Sequence, residues 1–462
     1  MMEEMVEQIE LLLEQNNKQQ LRDYLNNLNI SDVEELIDEL PQYGPRFIET
    51  LSLNRAVNVF RILDFPTQER IIKKLSGKKT AEIINELPPD DRTAFFGELH
   101  GDAVKALIVH LSAADRKEAL ILLGYEEDSV GRLMTPDYVA VKKSWDVNRV
   151  LAHIRQYGKD SETIDVIYVL GDRGVLLDDI RIREILLVDP STKVSELMDG
   201  RLIALKATDP QEEAINVFRM NNRTALPVTD DQNVLLGIVT VDDILWIANE
   251  EYTEDIQKIG GTEALDEPYL DINLFKLVKK RVGWLIILFL SEMLTSTAMQ
   301  YFNDEIAVVI QLTFFIPLIM SSGGNSGSQA STLIIQAMAL GEVTLADWWR
   351  VMRREIFSGL MLGTILGTIG FLRIILWSTF SDIYGAHPLL IALTVGFSLI
   401  GIVLWGSLAG SMLPILMKRL KLDPATSSAP FVATLVDVTG LIIYFSMALV
   451  VMHSVLHPAL KH

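Results

Sequence analysis

Along the first 130 positions apolar residues recur at i, i+3 and i+4 in short runs, separated by ELPQYGP, LDFPTQE, ELPPDDR and LSAADR. That spacing predicts a series of short amphipathic helices. None can bury its apolar stripe alone, so stacking into a small all-α solenoid is expected. From about residue 131 the pattern changes to short alternating strands followed by an amphipathic helix. At 242–259 a single acidic helix is predicted, ending at Gly260-Gly261. Beyond residue 271 the texture changes once more. Apolar stretches near the ~20 residues that cross a bilayer run over 283–302, 306–340 with a polar interruption, 356–377, 388–417 and 430–452, which predicts five spans.

The middle region is an internal repeat with a period of 64 residues: RLMTPDYVAVKKSWDVNRVLAHIRQ overlays ELMDGRLIALKATDPQEEAINVFRM, placing Leu133 and Met134 on Leu197 and Met198. One unit was duplicated. The second copy ends in ALPVTDDQNVLLGIVTVDDIL, two apolar runs around a polar turn and then a helix start. It resembles the CBS domain, whose tandem pairs have this organisation, and Gly237 to Asp243 fit that family's G-h-h-T-x-x-D ending. The resemblance implies that Thr240 and Asp243 can hold an adenine nucleotide. The first copy carries GVLLDDIRIREIL in place of the expected strand and T-x-x-D, so nucleotide binding is not expected of that half.

Charge divides the chain unequally. Residues 272–462 carry twelve Lys/Arg and nine Asp/Glu, and the first 271 carry 29 and 52, so a net −23 precedes the spans. Such a region will not bind nucleic acid through its own field but concentrates cations; the same charge also serves solubility. Lys276, Lys279, Lys280 and Arg281 precede the first span, and Arg350, Arg353, Arg354, Lys418, Arg419 and Lys421 fill alternate loops, whereas the remaining loops lack Lys and Arg. By the positive-inside rule the acidic region is cytoplasmic and the C-terminus outside. The opening MMEEMVEQIELLLEQNNK is too acidic and polar for a secretory signal.

With no cysteine there are no disulfides and no thiolate ligands, so a bound metal should be hard and oxygen-ligated. Of seven histidines only His453 and His457 share a helical spacing. SGKKT at Ser76 is no phosphate-binding loop, because the glycine needed five residues before Gly77 is Ile72.

Three features exceed what an anchor needs. Within FFIPLIMSSGGNSGSQASTLII, Pro317, Gly323, Gly324 and Gly327 interrupt two apolar halves, and Asn325, Ser326, Ser328 and Gln329 bring polar side chains. A discontinuous helix lining a path is one reading, and small-residue helix packing is the other. Asp437 lies inside the last span without a basic neighbour on its own helix, a position that usually faces a water-filled cavity. Glu292 in the first span is open between interfacial placement and support of a pore. Ahead of the membrane, Asp242, Asp243, Glu250, Glu251, Glu254 and Asp255 crowd into fourteen residues, where like charges destabilise a helix unless cations neutralise them. Asp90 and Asp91 begin a helix, where capping and ion binding are both open.

Taken together, the helical region ending in GRLMTPDY, the CBS pair, EEYTEDIQKIGGTEALDEPYL, GGNSGSQAST and PFVATLVDVTG resemble the MgtE family of magnesium channels over the whole chain. The domains expected are a helical N-terminal domain (1–130), CBS copies (131–196 and 197–248), an acidic connector (249–271) and a five-span pore domain (272–462). The resemblance implies a homodimer in the plasma membrane, its pore on the two-fold axis, lined by the second span and by Ala433 and Thr434, with Asp437 facing hydrated Mg2+. It implies sensing of internal Mg2+ at Glu212, Asp243, Glu251, Glu254 and Asp255, closing the pore when Mg2+ is plentiful, with ATP as a modulator and no enzymatic activity. Transport of Mn2+ or Co2+ under nucleotide control, or a non-transporting membrane sensor, are the alternatives.

Overall fold

The computed structural model describes residues 2–456 apart from 16, 266, 268 and 271, so His457 and the C-terminus lie outside the described residues. The chain forms two compact units, Met1–Ala248 and Asn249–His462.

The first unit begins with short helices of 7 to 13 residues, from Met2–Glu14 to Ala113–Leu122. Their boundaries follow from local chemistry. Asn17, Ser76 and Ser112 accept from Gln20 N, Lys79 N and Asp115 N at helix starts, Asn29 and Asp32 cap each other reciprocally, and prolines open the helices at Phe65 and Pro89. Alternate helices stack on each other: Met2–Glu14 on Ile30–Glu39, that on Leu53–Ile62, and that on Gly77–Glu86. Their apolar faces make one core, in which Phe47, Phe60 and Phe96 are wholly buried.

The duplicated region folds as two three-stranded sheets of identical topology. Strands β1 (Ala140–Lys142), β2 (Val166–Leu170) and β3 (Leu176–Arg181) pair parallel then antiparallel, as do β4 (Leu205–Lys206), β5 (Ala225–Thr229) and β6 (Leu235–Thr240). The first copy therefore keeps the strand that its sequence hides. In β3 the inward positions are Leu176, Asp178 and Ile180, and a buried aspartate at a core position breaks the apolar alternation by which strands are recognised. Asp178 is satisfied there by the amides of Gly200 and Asp179 at 3.1 and 3.0 Å. The copies also exchange segments: Val130 and Met134 pack in the core of β4–β6, and Val194, Leu197 and Met198 in that of β1–β3.

The connecting helix, Val241–Ile259, leaves β6 directly, and the acidic residues predicted to share one helix do so.

Among the described residues of the second unit four helices are long and apolar enough to cross a membrane: Leu274–Tyr301, Leu345–Ser378, Pro388–Arg419 and Ala429–Val451. A further helix, Ile316–Ala339, is held below that hydropathy by its central Ser, Gly, Asn and Gln residues, and packs against Pro388–Arg419 and Ala429–Val451. It is continuous, which corrects the expected break. Pro317 occupies its first turn, where a missing N–H costs nothing, and the irregular backbone lies earlier, in the 3-10 turn Ile310–Phe315. The glycines serve contact rather than breakage. A Cβ added at Gly410 would stand 2.0 Å from the Gly327 carbonyl oxygen, and one at Gly406 2.5 Å from that of Gly323, so only glycine permits these backbones to touch.

Candidate functional site

Asp437 is eight residues into the helix Ala429–Val451, about 12 Å along it at 1.5 Å per residue. It is half-buried, and its Oδ1 would be 3.7 Å from a Cβ at Gly324. The carboxylate therefore lies beside the glycine-rich helix at ordinary contact distance from Gly324. That helix presents Pro317, Ser321, Asn325 and Gln329 at four-residue intervals as exposed positions on one face, with Asn325 Nδ2 donating to Ser321 Oγ at 3.3 Å. Three of its other polar residues turn toward neighbouring elements: Ser326 meets Ser407 Oγ at 2.8 Å, and Ser328 and Ser331 donate to the carbonyls of Ala429 and Ser427. Of the residues expected to line a pore, Gly323 and Gly327 are instead buried against Ile402, Val436, Val432 and Gly406, where packing requires them. Ala433 contacts Gly324, and Thr434 Oγ1 donates to the Pro430 carbonyl one turn back.

A second group of acids gathers where the connecting helix meets the loop before the final helix. Lys258 Nζ donates to Asp423 Oδ2 at 2.8 Å and pairs with Glu254. Asp255 is pushed up to about 6, chiefly by burial and then by Asp423, with Lys258 opposing and Glu251 and Glu254 adding. Lys258, ringed by Asp423 and Glu254, is raised despite its burial. Asp423 was missed by the sequence reading. Its signal was visible, since it is the one acid in the basic loop KRLKLDPAT, where it also caps the turn Pro424–Thr426 through Ala425 N at 2.8 Å.

The third group lies in the first unit, where the start of the helix Pro89–Glu98 meets the end of β6. Asp90 is buried, with no well-aligned donor for either oxygen, the neighbouring Asp91 amide giving only slight relief. Burial, then Asp243, Asp91 and Glu162, hold it well above the usual carboxylate range. Asp91 is ion-paired with Arg61, yet burial, Asp243 and Glu162 push it up to about 7. Asp243 rises to about 6 by burial, although Thr240 Oγ1 donates to it at 2.7 Å. Capping therefore does not account for Asp90, whose carboxylate is buried beside other acids instead of meeting helix amides. Arg61 and Glu162, 3.7 Å apart, complete the group and were not anticipated, because they come from a helix and a loop remote in sequence. Glu212, Asp242 and Glu250 are exposed, Glu212 in the first turn of Gln211–Asn221 and the others on the connecting helix.

A divalent cation fits this chemistry. Unrelieved carboxylates in poor solvent favour any hard positive charge. Among the described residues no three His, Cys, Asp or Glu side chains converge as a ready-made cage. Thr240 and Asp243, expected at a nucleotide, are engaged with each other in this acid group. A separate cavity of about 250 Å3 is bordered by Arg181, Arg183, Arg223 and Asn222 and by one acid, Asp165, with Arg223 paired to Asp179; its arginines outnumber the acid on its border and offer donors of the kind a phosphate takes.

Comparison with known proteins matches residues 316–447 to the divalent cation transporter model MgtE, 28–128 to the MgtE intracellular N domain and 194–249 to the CBS domain. A magnesium transporter MgtE of Thermus thermophilus is 41% identical over 347 residues, 75% of either chain. Another, of Bacillus subtilis, is 26% identical over 98% of both chains. The crystal structure of the cytosolic domain of the Mg2+ channel MgtE in complex with ATP matches 52% of this chain and 99% of its own, with 31% identity and a TM-score of 0.51.

Proposed function

Because the chain belongs to the MgtE family of divalent cation transporters, a family of transporters and not enzymes, we propose that it is a Mg2+-selective channel of the plasma membrane. It admits hydrated Mg2+ past Asp437 and is shut by internal Mg2+ bound at its acidic cytoplasmic groups. The observation that carries this reading is Asp437 itself: a carboxylate beside Gly324 in an apolar helix, next to a helix with a polar face of Ser321, Asn325 and Gln329. Lipid would make both features costly, whereas a water-filled path makes them favourable. In this arrangement Ile316–Ala339 is the fifth span, the first 271 residues are cytoplasmic, the C-terminus is outside, and the pore forms between two copies.

The chain's residues divide the task. Asp437 attracts the cation, and the amide and hydroxyl groups of the stripe exchange hydrogen bonds with its water shell, so that the reluctant dehydration of Mg2+ is not required. Asp90, Asp91 and Asp243, and separately Glu251, Glu254, Asp255 and Asp423, hold regulatory Mg2+, with Glu212, Asp242 and Glu250 adding to the field. Each ion offsets like-charge repulsion and so favours the compact, closed arrangement; its loss releases the connecting helix. ATP binding by the cytosolic domain in a relative supports a nucleotide as modulator here, held at the arginine-bordered cavity in place of Thr240 and Asp243.

Proteoliposomes containing the purified protein should take up Mg2+, with Mn2+ and Co2+ competing weakly and Asp437→Ala removing uptake. Uptake that survives Asp437→Ala, or that Mn2+ or Co2+ dominates, would contradict the proposal.

A further inference from the structure

Glu292 is the one charged residue that the first long helix carries between Val282 and Tyr301. Its nearest basic neighbour on that helix, Arg281, is eleven residues and about 16 Å back. A carboxylate at such depth is costly against hydrocarbon, so its surroundings need explaining.

Contacts with the final helix supply the explanation. Trp284 Nε1 donates to Ser428 Oγ at 3.0 Å, the Trp284 and Phe431 rings are 6.0 Å apart, and Phe302 stacks on Phe445 at 5.0 Å. Both sets of residues advance together, so the two helices are parallel and their register is fixed at both ends. Eight residues on from Trp284 and nine on from Ser428 the helices reach one level, and the residues there are Glu292 and Asp437. Glu292 is exposed on the surface of the single chain, and it is the ionisable group that acts electrostatically on Asp437.

We infer that Glu292 is a second acid of the permeation path, a specificity-determining residue that doubles the charge each chain offers at the level of Asp437. The inference rests on the transport proposed above. An added carboxylate attracts a divalent ion about twice as strongly as a monovalent one at equal distance, so its contribution is to discrimination as well as affinity. Asp437, flanked by Gly324, is the fixed member of the pair, and Glu292, one methylene longer, reaches from the neighbouring helix.

The test uses the full-length protein in liposomes, following Mg2+ and K+ flux over a range of external Mg2+ for the native chain, Glu292→Gln, Glu292→Asp and Asp437→Asn. Glu292→Gln should raise half-saturating Mg2+ about five-fold and lower the Mg2+ to K+ flux ratio by a similar factor, with Glu292→Asp restoring much of both. A Glu292→Gln protein that loses maximal flux alone, with half-saturation and ion ratio unchanged, overturns the inference and leaves a packing role. So does one indistinguishable from the native chain while Asp437→Asn is inactive. Should Asp437→Asn conduct normally, the transport proposal itself fails, which is a distinct outcome.

Discussion

The acid group around Asp90 and the acid in the final helix place the same chemical group in poor solvent under opposite constraints. Around Asp90 three aspartates and Glu162 are drawn into one buried region, where Arg61 pairs with Asp91 and Glu162. Asp437 stands half-buried on the final helix beside Gly324, which lies on a helix whose backbone touches that of Pro388–Arg419 through glycines at 323, 327, 406 and 410. The first arrangement stores repulsion that a proton or a cation relieves, so its stability depends on solution conditions. The second is locked by packing, so its geometry does not. A sensor needs the former and a conduit the latter.

The contrast can be broken most severely at the glycines. Gly410→Val brings a Cβ to 2.0 Å from the Gly327 carbonyl oxygen, where backbone must shift; the second unit should lose about 3 kcal/mol. Thermal unfolding in detergent measures this, and a variant as stable as the native chain would refute the close approach.

At the acid group the expected effect is smaller and depends on pH. With Asp91 near 7 and Asp243 near 6, the folded state is the better proton binder. Stability contributed there is complete below the ordinary carboxylate range near pH 4 and is lost as pH rises toward 7. Without divalent ions the first unit should therefore unfold on the order of 5 °C lower at pH 7.5 than at pH 5, and millimolar Mg2+ should restore the difference at pH 7.5 but not at pH 5. Asp90→Asn with Asp91→Asn should reduce both dependences to the part that Asp243 carries.

Lys258→Met should have a more modest consequence. It leaves Asp423, Glu254 and Asp255 facing one another, so the Mg2+ concentration that protects the connecting helix from protease should shift a few-fold, in keeping with about 1 kcal/mol for a partly exposed pair. The smallest effect is expected at the arginine-bordered cavity, where Arg223→Ala should weaken ATP binding measured by calorimetry without altering Mg2+ uptake in the absence of nucleotide. Because Arg223 also pairs with Asp179 at 2.6 Å, a matched Arg223→Lys protein controls for local unfolding.

Much of this was legible in the chain. The 64-residue repeat emerged from Leu133-Met134 against Leu197-Met198 because a duplicated fold keeps its apolar positions. The helices Val147–Tyr157 and Gln211–Asn221 stand at that same offset, while β2 and β3 stand 59 before β5 and β6, because the turn after the helix is five residues longer in the first copy. The strand β3 was hidden because Asp178 takes an inward position that only a tertiary hydrogen bond from Gly200 makes tolerable. The glycines near 323–327 were legible as either a break or a packing contact, and the sequence leaves the choice open, since a helix-breaking residue and a helix-packing residue have the same letter. Single acids stood out; their grouping with Arg61, Glu162 and Asp423 did not, because those partners are brought in by packing between distant segments.

The division between sensing and conducting acids is tested most directly by Mg2+ influx into proteoliposomes at low and high internal Mg2+, comparing the native chain with Asp437→Asn and with the Asp90→Asn, Asp91→Asn pair. The account predicts no influx through Asp437→Asn at either concentration, and influx through the paired variant that internal Mg2+ no longer shuts. Influx through Asp437→Asn, or normal closure of the paired variant, would contradict it.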